Sequence, residues 1–161
     1  MSSGVAVDPS CIESFNGLKK RDVRAVVMKI NDGMTKIEVE KTMPTGSGDV
    51  GTAEAEWKEC IDSLPENDCR FLLYDFLYEH QGLPKSKIVF LKWAPETAKI
   101  KSKTIYASSQ EGCLNQMEGV GRQLQATDED ESARWLVRSC SDRILVICGS
   151  WSWNATDLSR V

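Results

Sequence analysis

The sequence predicts an α/β domain, a mixed sheet of about five strands flanked by helices on both faces. Three features predict it. Helical and strand-like periods alternate along the chain. Two runs, Cys69–Tyr78 and Ile88–Trp93, are apolar at successive positions, as strands buried on both faces must be. Asn31-Asp-Gly33 joins two further strand-like runs with a hairpin signal.

The elements follow in order. Residues 1–7 are small and almost uncharged, which predicts a flexible arm ahead of the main domain, residues 8–140. Asp8-Pro9 opens a helix, with an acid at the N-cap and proline at the first helical position. Cys11, Phe15 and Leu18 form its apolar face, and Lys19, Lys20 and Arg21 crowd the end that favours cations. Strands are predicted over Val23–Ile30 and Met34–Lys41, the second with Ile37 and Val39 inward and Lys36, Glu38 and Glu40 outward. Thr42–Gly51, with its glycines and proline, reads as a loop. Thr52–Leu64 reads as a helix that buries Trp57, Cys60 and Ile61 and stops at Pro65.

Cys69–Tyr78 and Ile88–Trp93 are the central strands, separated by a turn over Glu79–Lys85 that holds His80, the single histidine. Pro95 ends strand pairing because it has no N–H to donate. A long, partly exposed helix follows, kinked at Ser108 and Ser109. Ile100, Thr104 and Ala107, continued by Cys113, Met117, Val120 and Leu124, mark its apolar stripe. Arg122–Ala126 reads as a short strand, and Thr127-Asp128 caps a helix that starts in Glu129, Asp130 and Glu131. Arg134 and Arg138, four apart, share its outer face. Residues 141–161 form an atypical C-terminal extension of unassigned role.

The net charge of −4 argues against non-specific nucleic-acid binding. Charge is unevenly placed, however. From Lys85 to Lys103 six lysines stand against one acid, a net +5 that leaves −9 elsewhere. A basic face on an acidic protein suits an acidic partner or an anionic headgroup, although single lysines are often only solvated. Six cysteines with no C-x-x-C pair, and one histidine, give no zinc spacing, and no metal or cofactor is expected. The cysteines fall mostly on apolar faces, as small buried hydrophobes do in a reducing compartment. With no signal pattern and no apolar run long enough to span a bilayer, the expectation is a soluble, monomeric cytoplasmic protein, with nuclear entry left open.

Several uncommon words occur in one order: Ser3-Gly-Val-Ala-Val7, Leu64-Pro-Glu-Asn-Asp-Cys69, Tyr74-Asp-Phe76, Trp93-Ala-Pro-Glu96 and Lys101-Ser-Lys-Thr-Ile-Tyr-Ala-Ser-Ser109. In these the chain resembles the actin-depolymerising factor/cofilin family from Ser3 to Thr127. The resemblance implies the actin-depolymerising factor homology fold and binding to monomeric and filamentous actin, with severing and depolymerisation of filaments. It implies a monomer-binding surface made of Ser3, Gly4, Lys101, Lys103, Gln110, Glu111, Leu114, Asn115 and Met117. A second, filament-binding surface would use Lys85, Lys87, Arg134 and Arg138. It also implies that phosphorylation of Ser3, with Ser2 adjacent, turns binding off by placing about −2 charge against an acidic partner. Relatives usually carry lysine or arginine at Gln110, Leu114 and Asn115; this chain does not. The expectation is therefore actin binding that depends less on salt, with weak phosphoinositide binding.

Enzyme signatures are missing from the sequence: it has no P-loop, nucleophile elbow or dinucleotide fingerprint. His80 with a cysteine has no orienting partner in view, and Asp75 with Glu79 makes a poor acid–base pair on a strand. No catalytic residue is assigned. The rival reading is a lipid- or protein-binding adaptor, or a monomer-sequestering protein, on the same fold.

Overall fold

The computed structural model describes residues 4–46 and 53–128. Along them run β1 (Ala6–Val7), α1 (Pro9–Lys19), β2 (Val23–Ile30), β3 (Lys36–Pro44) and α2 (Ala53–Asp62). Then come β4 (Arg70–His80), β5 (Leu83–Trp93), α3 (Ile100–Asn115) and β6 (Arg122–Ala126). The strands form one sheet in the order β1-β3-β2-β4-β5-β6. Its inner pairs are antiparallel, and the short edge strands β1 and β6 run parallel to their neighbours. The sheet is thus mixed, with six strands among the described residues against about five expected.

The period of two explains how one strand serves two cores. Phe71 and Leu73 of β4 join Phe15, Leu18, Phe90, Tyr106 and Cys113 under α1 and α3. Leu72 and Tyr74 point the other way, onto Trp57, Cys60 and Ile61 of α2. The described cysteines Cys11, Cys60, Cys69 and Cys113 are all buried and free. Burial pushes the Cys60 and Cys113 thiols up to about 12, so they pack as hydrophobes rather than react as thiolates. At the start of α1 the Asp8 side chain accepts from the Ser10 N–H at 3.0 Å, with Pro9 beside it, as the sequence predicts.

Several boundaries differ from expectation. Ala6 and Val7 pair with Lys36 and Ile37, and the Ala6 N–H reaches the Thr35 carbonyl at 2.9 Å, so the arm is fixed before residue 8. β3 starts at Lys36 because Met34, at φ 54°, belongs to the turn. The Asn31 side chain holds that turn by accepting from the Thr35 and Lys36 N–H groups. β3 then continues through Thr42, Met43 and Pro44, past the expected loop boundary, by pairing with the first half of β2; residues 47–52 lie outside the described residues.

The turn expected over Glu79–Lys85 is instead mostly strand. β4 and β5 stay paired from Arg70↔Trp93 to His80↔Leu83, around Gln81 and Gly82 at φ 53° and 77°. That is the two-residue turn whose twist suits a hairpin. Pro84 is tolerated one residue inside the closing pair, where an antiparallel ladder asks for no N–H. His80 therefore ends a strand rather than lying in a loop.

α3 is continuous through Ser108 and Ser109, whose hydroxyls both donate back to the Ile105 carbonyl. It ends at Asn115, and Leu124 belongs to β6 as the sequence also allows. Its buried face is Tyr106, Ser109 and Cys113. The expected stripe began on the opposite face: Ile100 is 82% exposed, and Thr104 and Ala107 are exposed too. The expected helix from residue 129, with Arg134 and Arg138, and the extension over 141–161 lie outside the described residues.

Candidate functional site

The basic stretch of the sequence resolves into two separate places on the sheet. The first is the start of α3. Lys99 occupies its N-cap without a side-chain cap bond, Lys101 and Lys103 stand in the first turn, and no acid balances them there. Cations at the positive pole of a helix are unfavourable, and the arrangement stands only because neighbouring segments hold it. The Trp93 indole N–H donates to the Pro65 carbonyl at 2.8 Å, and the Thr97 hydroxyl donates to the Glu66 carbonyl. Ser102 donates to Asp68 at 2.9 Å. One turn on, the Tyr106 hydroxyl accepts from the buried Ile30 N–H at 2.8 Å. Lys103 is half-buried and donates to the Glu96 carbonyl at 2.9 Å; Lys101 is exposed.

Below the lysines, the outer face of α3 carries Ala107, Glu111 and Asn115, all exposed, with Gln110 and Leu114 half-buried. With Gln123 these five residues line a shallow groove. Leu114 also packs against the core under α3, so only part of its surface is left for a partner. Met117 does not belong to this face. It lies past the helix end, is 2% exposed and is part of the core, which corrects its assignment as a contact residue. Gly4 is exposed at φ 71°, a left-handed conformation that glycine adopts without a Cβ penalty, and β1 just after it lies against α3. Ser3 lies outside the described residues.

The second place is the β4–β5 hairpin. β2 pairs with β4 only from Phe71 to Tyr74, and β6 pairs with β5 only from Val89 to Trp93. Among the described residues the outer part of the hairpin is therefore a two-stranded projection. Leu83, Lys85 and Lys87, two apart on β5, share one face of it. Leu83 is 63% exposed, Lys85 exposed and Lys87 half-buried. The Lys87 stem runs over Gly121, where a Cβ would come within 2.6 Å of it, and Arg21 donates to Ser86 beside it at 3.1 Å.

Sequence reasoning missed Leu83 and Ile100 as large exposed apolar groups. Ile100 stands between Lys99 and Lys101, and that neighbourhood was the available signal, since a core position rarely sits between charges; Leu83, between Gly82 and Pro84, carried no such signal. Among the described residues no helix is long and apolar enough to cross a membrane.

This fold, with a lysine-headed helix packed against one face and a projecting basic hairpin, is that of a known class. The family model for cofilin/tropomyosin-type actin-binding proteins matches residues 4–140. A cofilin of Yarrowia lipolytica is 42% identical over 134 residues, covering 81% of this chain and 82% of its own. A cofilin of Ogataea parapolymorpha is 39% identical over 134 residues, covering 81% and 87%. The crystal structure of Streptomyces griseoflavus cofilin superposes with a TM-score of 0.73 at 30% identity, covering 88% of this chain and 99% of that one. The chain belongs to the cofilin/actin-depolymerising factor family of actin-binding proteins.

Proposed function

We propose that the protein binds monomeric and filamentous actin, and that it severs and depolymerises filaments by gripping two neighbouring subunits at once. The start of α3 carries the reading. Lys99, Lys101 and Lys103 oppose the helix dipole, and Ile100 between them is 82% exposed, an arrangement that costs the folded chain stability unless a partner uses it. An acidic actin surface with an apolar spot answers both features. The monomer contact comprises Ser3, Gly4, Lys101, Lys103, Gln110, Glu111, Leu114 and Asn115. The hairpin lysines Lys85 and Lys87, with Arg134 and Arg138, supply the second contact.

Two grips on a rigid body hold two subunits only in the geometry that suits both. Where that geometry is a minor twist of the filament, binding shifts the population towards it and weakens the contacts between subunits. No bond is made or broken. Phosphorylation at Ser3 then releases actin by charge repulsion. Co-sedimentation with filamentous actin tests the reading, run beside a Lys85→Ala/Lys87→Ala variant and a filament-length assay. Binding with shortened filaments is expected for the unaltered protein. A protein that binds monomers yet leaves filaments intact would instead be a sequestering protein.

A further inference from the structure

We propose that Asp68, acting through Ser102, is a positioning residue that aims Lys101 and Lys103 at actin; the inference rests on the functional reading above. α3 has no cap of its own, since the Lys99 side chain makes no cap bond and the first turn has no acid. The missing negative charge comes from the loop before β4. Asp68 Oδ1 accepts from the Ser102 hydroxyl at 2.9 Å and from the Cys69 N–H at 2.9 Å. Asp68 Oδ2 takes Arg70 Nη1 at 2.6 Å, and Arg70 is itself forked onto Glu40 at 2.7 and 3.1 Å. The carboxylate is thus held from three sides. Burial opposes its ionisation, but the hydrogen bonds from Arg70, Ser102 and Cys69 outweigh that and hold it below the ordinary range.

Ser102 lies in the first turn, flanked directly by both lysines. Its bond to Asp68 therefore sets the rotation of that turn and the direction in which each lysine leaves it. Trp93 and Thr97, bonded to the Pro65 and Glu66 carbonyls, fix the approach to the helix along the same loop. The placement has a functional logic. An acid inside the first turn would cap the helix more directly, but it would also stand among the lysines and cancel the charge offered to an acidic partner. An acid on a neighbouring loop complements the helix pole while leaving the lysine face positive.

The test is binding of purified monomeric actin, at physiological salt, by Ser102→Ala, Asp68→Ala and Ser102→Thr variants. Each is made in the natural background and with Lys101→Ala/Lys103→Ala, and thermal unfolding shows that each is folded at the assay temperature. Ser102→Ala is expected to weaken binding roughly three- to tenfold, and Ser102→Thr, which keeps the hydroxyl, to restore it. With both lysines removed, Ser102→Ala should have almost no further effect, because nothing remains to be aimed. Losses that add in full to the lysine losses would assign Asp68 and Ser102 a merely structural role and overturn the inference. Ser102→Ala binding as tightly as the unaltered chain overturns it while leaving the functional reading intact; an unaltered chain that ignores actin overturns both.

Discussion

Replacing Tyr106 by phenylalanine isolates the bond that seats α3 on the sheet. The hydroxyl oxygen accepts from the Ile30 N–H at 2.8 Å, between groups 3% and 8% exposed. The ring packs against Phe71 with centroids 4.9 Å apart, a contact phenylalanine keeps. The substitution therefore opens almost no cavity but strands a buried N–H without its acceptor. Such a loss costs about 1–3 kcal/mol. For a domain of this size that lowers the melting temperature by roughly 2–12 °C. Thermal and urea unfolding followed by circular dichroism would read it, with the urea slope unchanged because the buried surface hardly differs. The effect also has a pH signature. Burial raises the Tyr106 hydroxyl from 10.0 to about 12, against a lowering by the Ile30 bond. A pKa raised on folding contributes stability that is whole below the unfolded value and is lost as pH rises through the folded one. The unaltered protein should thus lose stability between pH 10.0 and about 12, and Tyr106→Phe should lose less across that window. A melting temperature within about 1 °C of the unaltered protein would refute the accounting of this bond.

Other expectations concern charge. Adding Gln110→Lys and Asn115→Lys to the outer face of α3 should tighten monomer binding by up to about tenfold at low salt and make the affinity fall more steeply as salt rises; an unchanged salt slope would mean that this face stays clear of actin. Lys85→Ala/Lys87→Ala should reduce filament co-sedimentation several-fold while leaving monomer affinity within about twofold, and equal losses in both assays would merge the two surfaces into one. Asp8 is held at about 2, below 3.8, chiefly by hydrogen bonds from Ser10 and then Lys36. Because that pKa is depressed on folding, its contribution is whole above 3.8 and is lost as pH falls towards about 2. An Asp8→Ala variant should melt lower than the unaltered protein at pH 6, with the gap closing over that acid range; a gap independent of pH would place the effect elsewhere.

The elements legible in the sequence were those whose local and tertiary demands agree. Asp8-Pro9 needs nothing beyond its own turn to start a helix, and Leu72 beside Leu73 needs only the pleat to point to two cores. Misreadings arose where a distant partner decides. The period through Ile100, Thr104 and Ala107 is genuine, but Tyr106, Ser109 and Cys113 satisfy a helical period as well. The choice between the two faces is made by the Ile30 N–H and by Phe71, remote in sequence. The β4–β5 hairpin was cut short because Gln81 is an unusual residue at positive φ and Pro84 usually breaks a strand. Of the expected site, Lys85, Lys87, Lys101 and Lys103 stood out by charge as well as by the resemblance; Met117 was placed on the contact face by the resemblance alone, whereas its spacing with Cys113 put it on the apolar stripe, where it is buried.

The misread face of α3 has a reason that bears on function. On the proposed reading this face docks actin, and a docking surface keeps apolar groups exposed, so its composition imitates a core stripe. Ile100, Thr104 and Ala107 imitate one here, and they are followed by the uncharged Gln110, Leu114 and Asn115. Along α3, then, positive charge is confined to the first turn, and the groove below it offers amides, the Glu111 carboxylate and a half-buried leucine. Such a helix discriminates by fit more than by field, and fit tolerates little misalignment. That raises the demand on whatever fixes its rotation. Tyr106 on β2 and Ser102 on Asp68 sit one turn apart and are polar bonds that help fix it, so losing either should disturb recognition more than the small surface it removes would suggest.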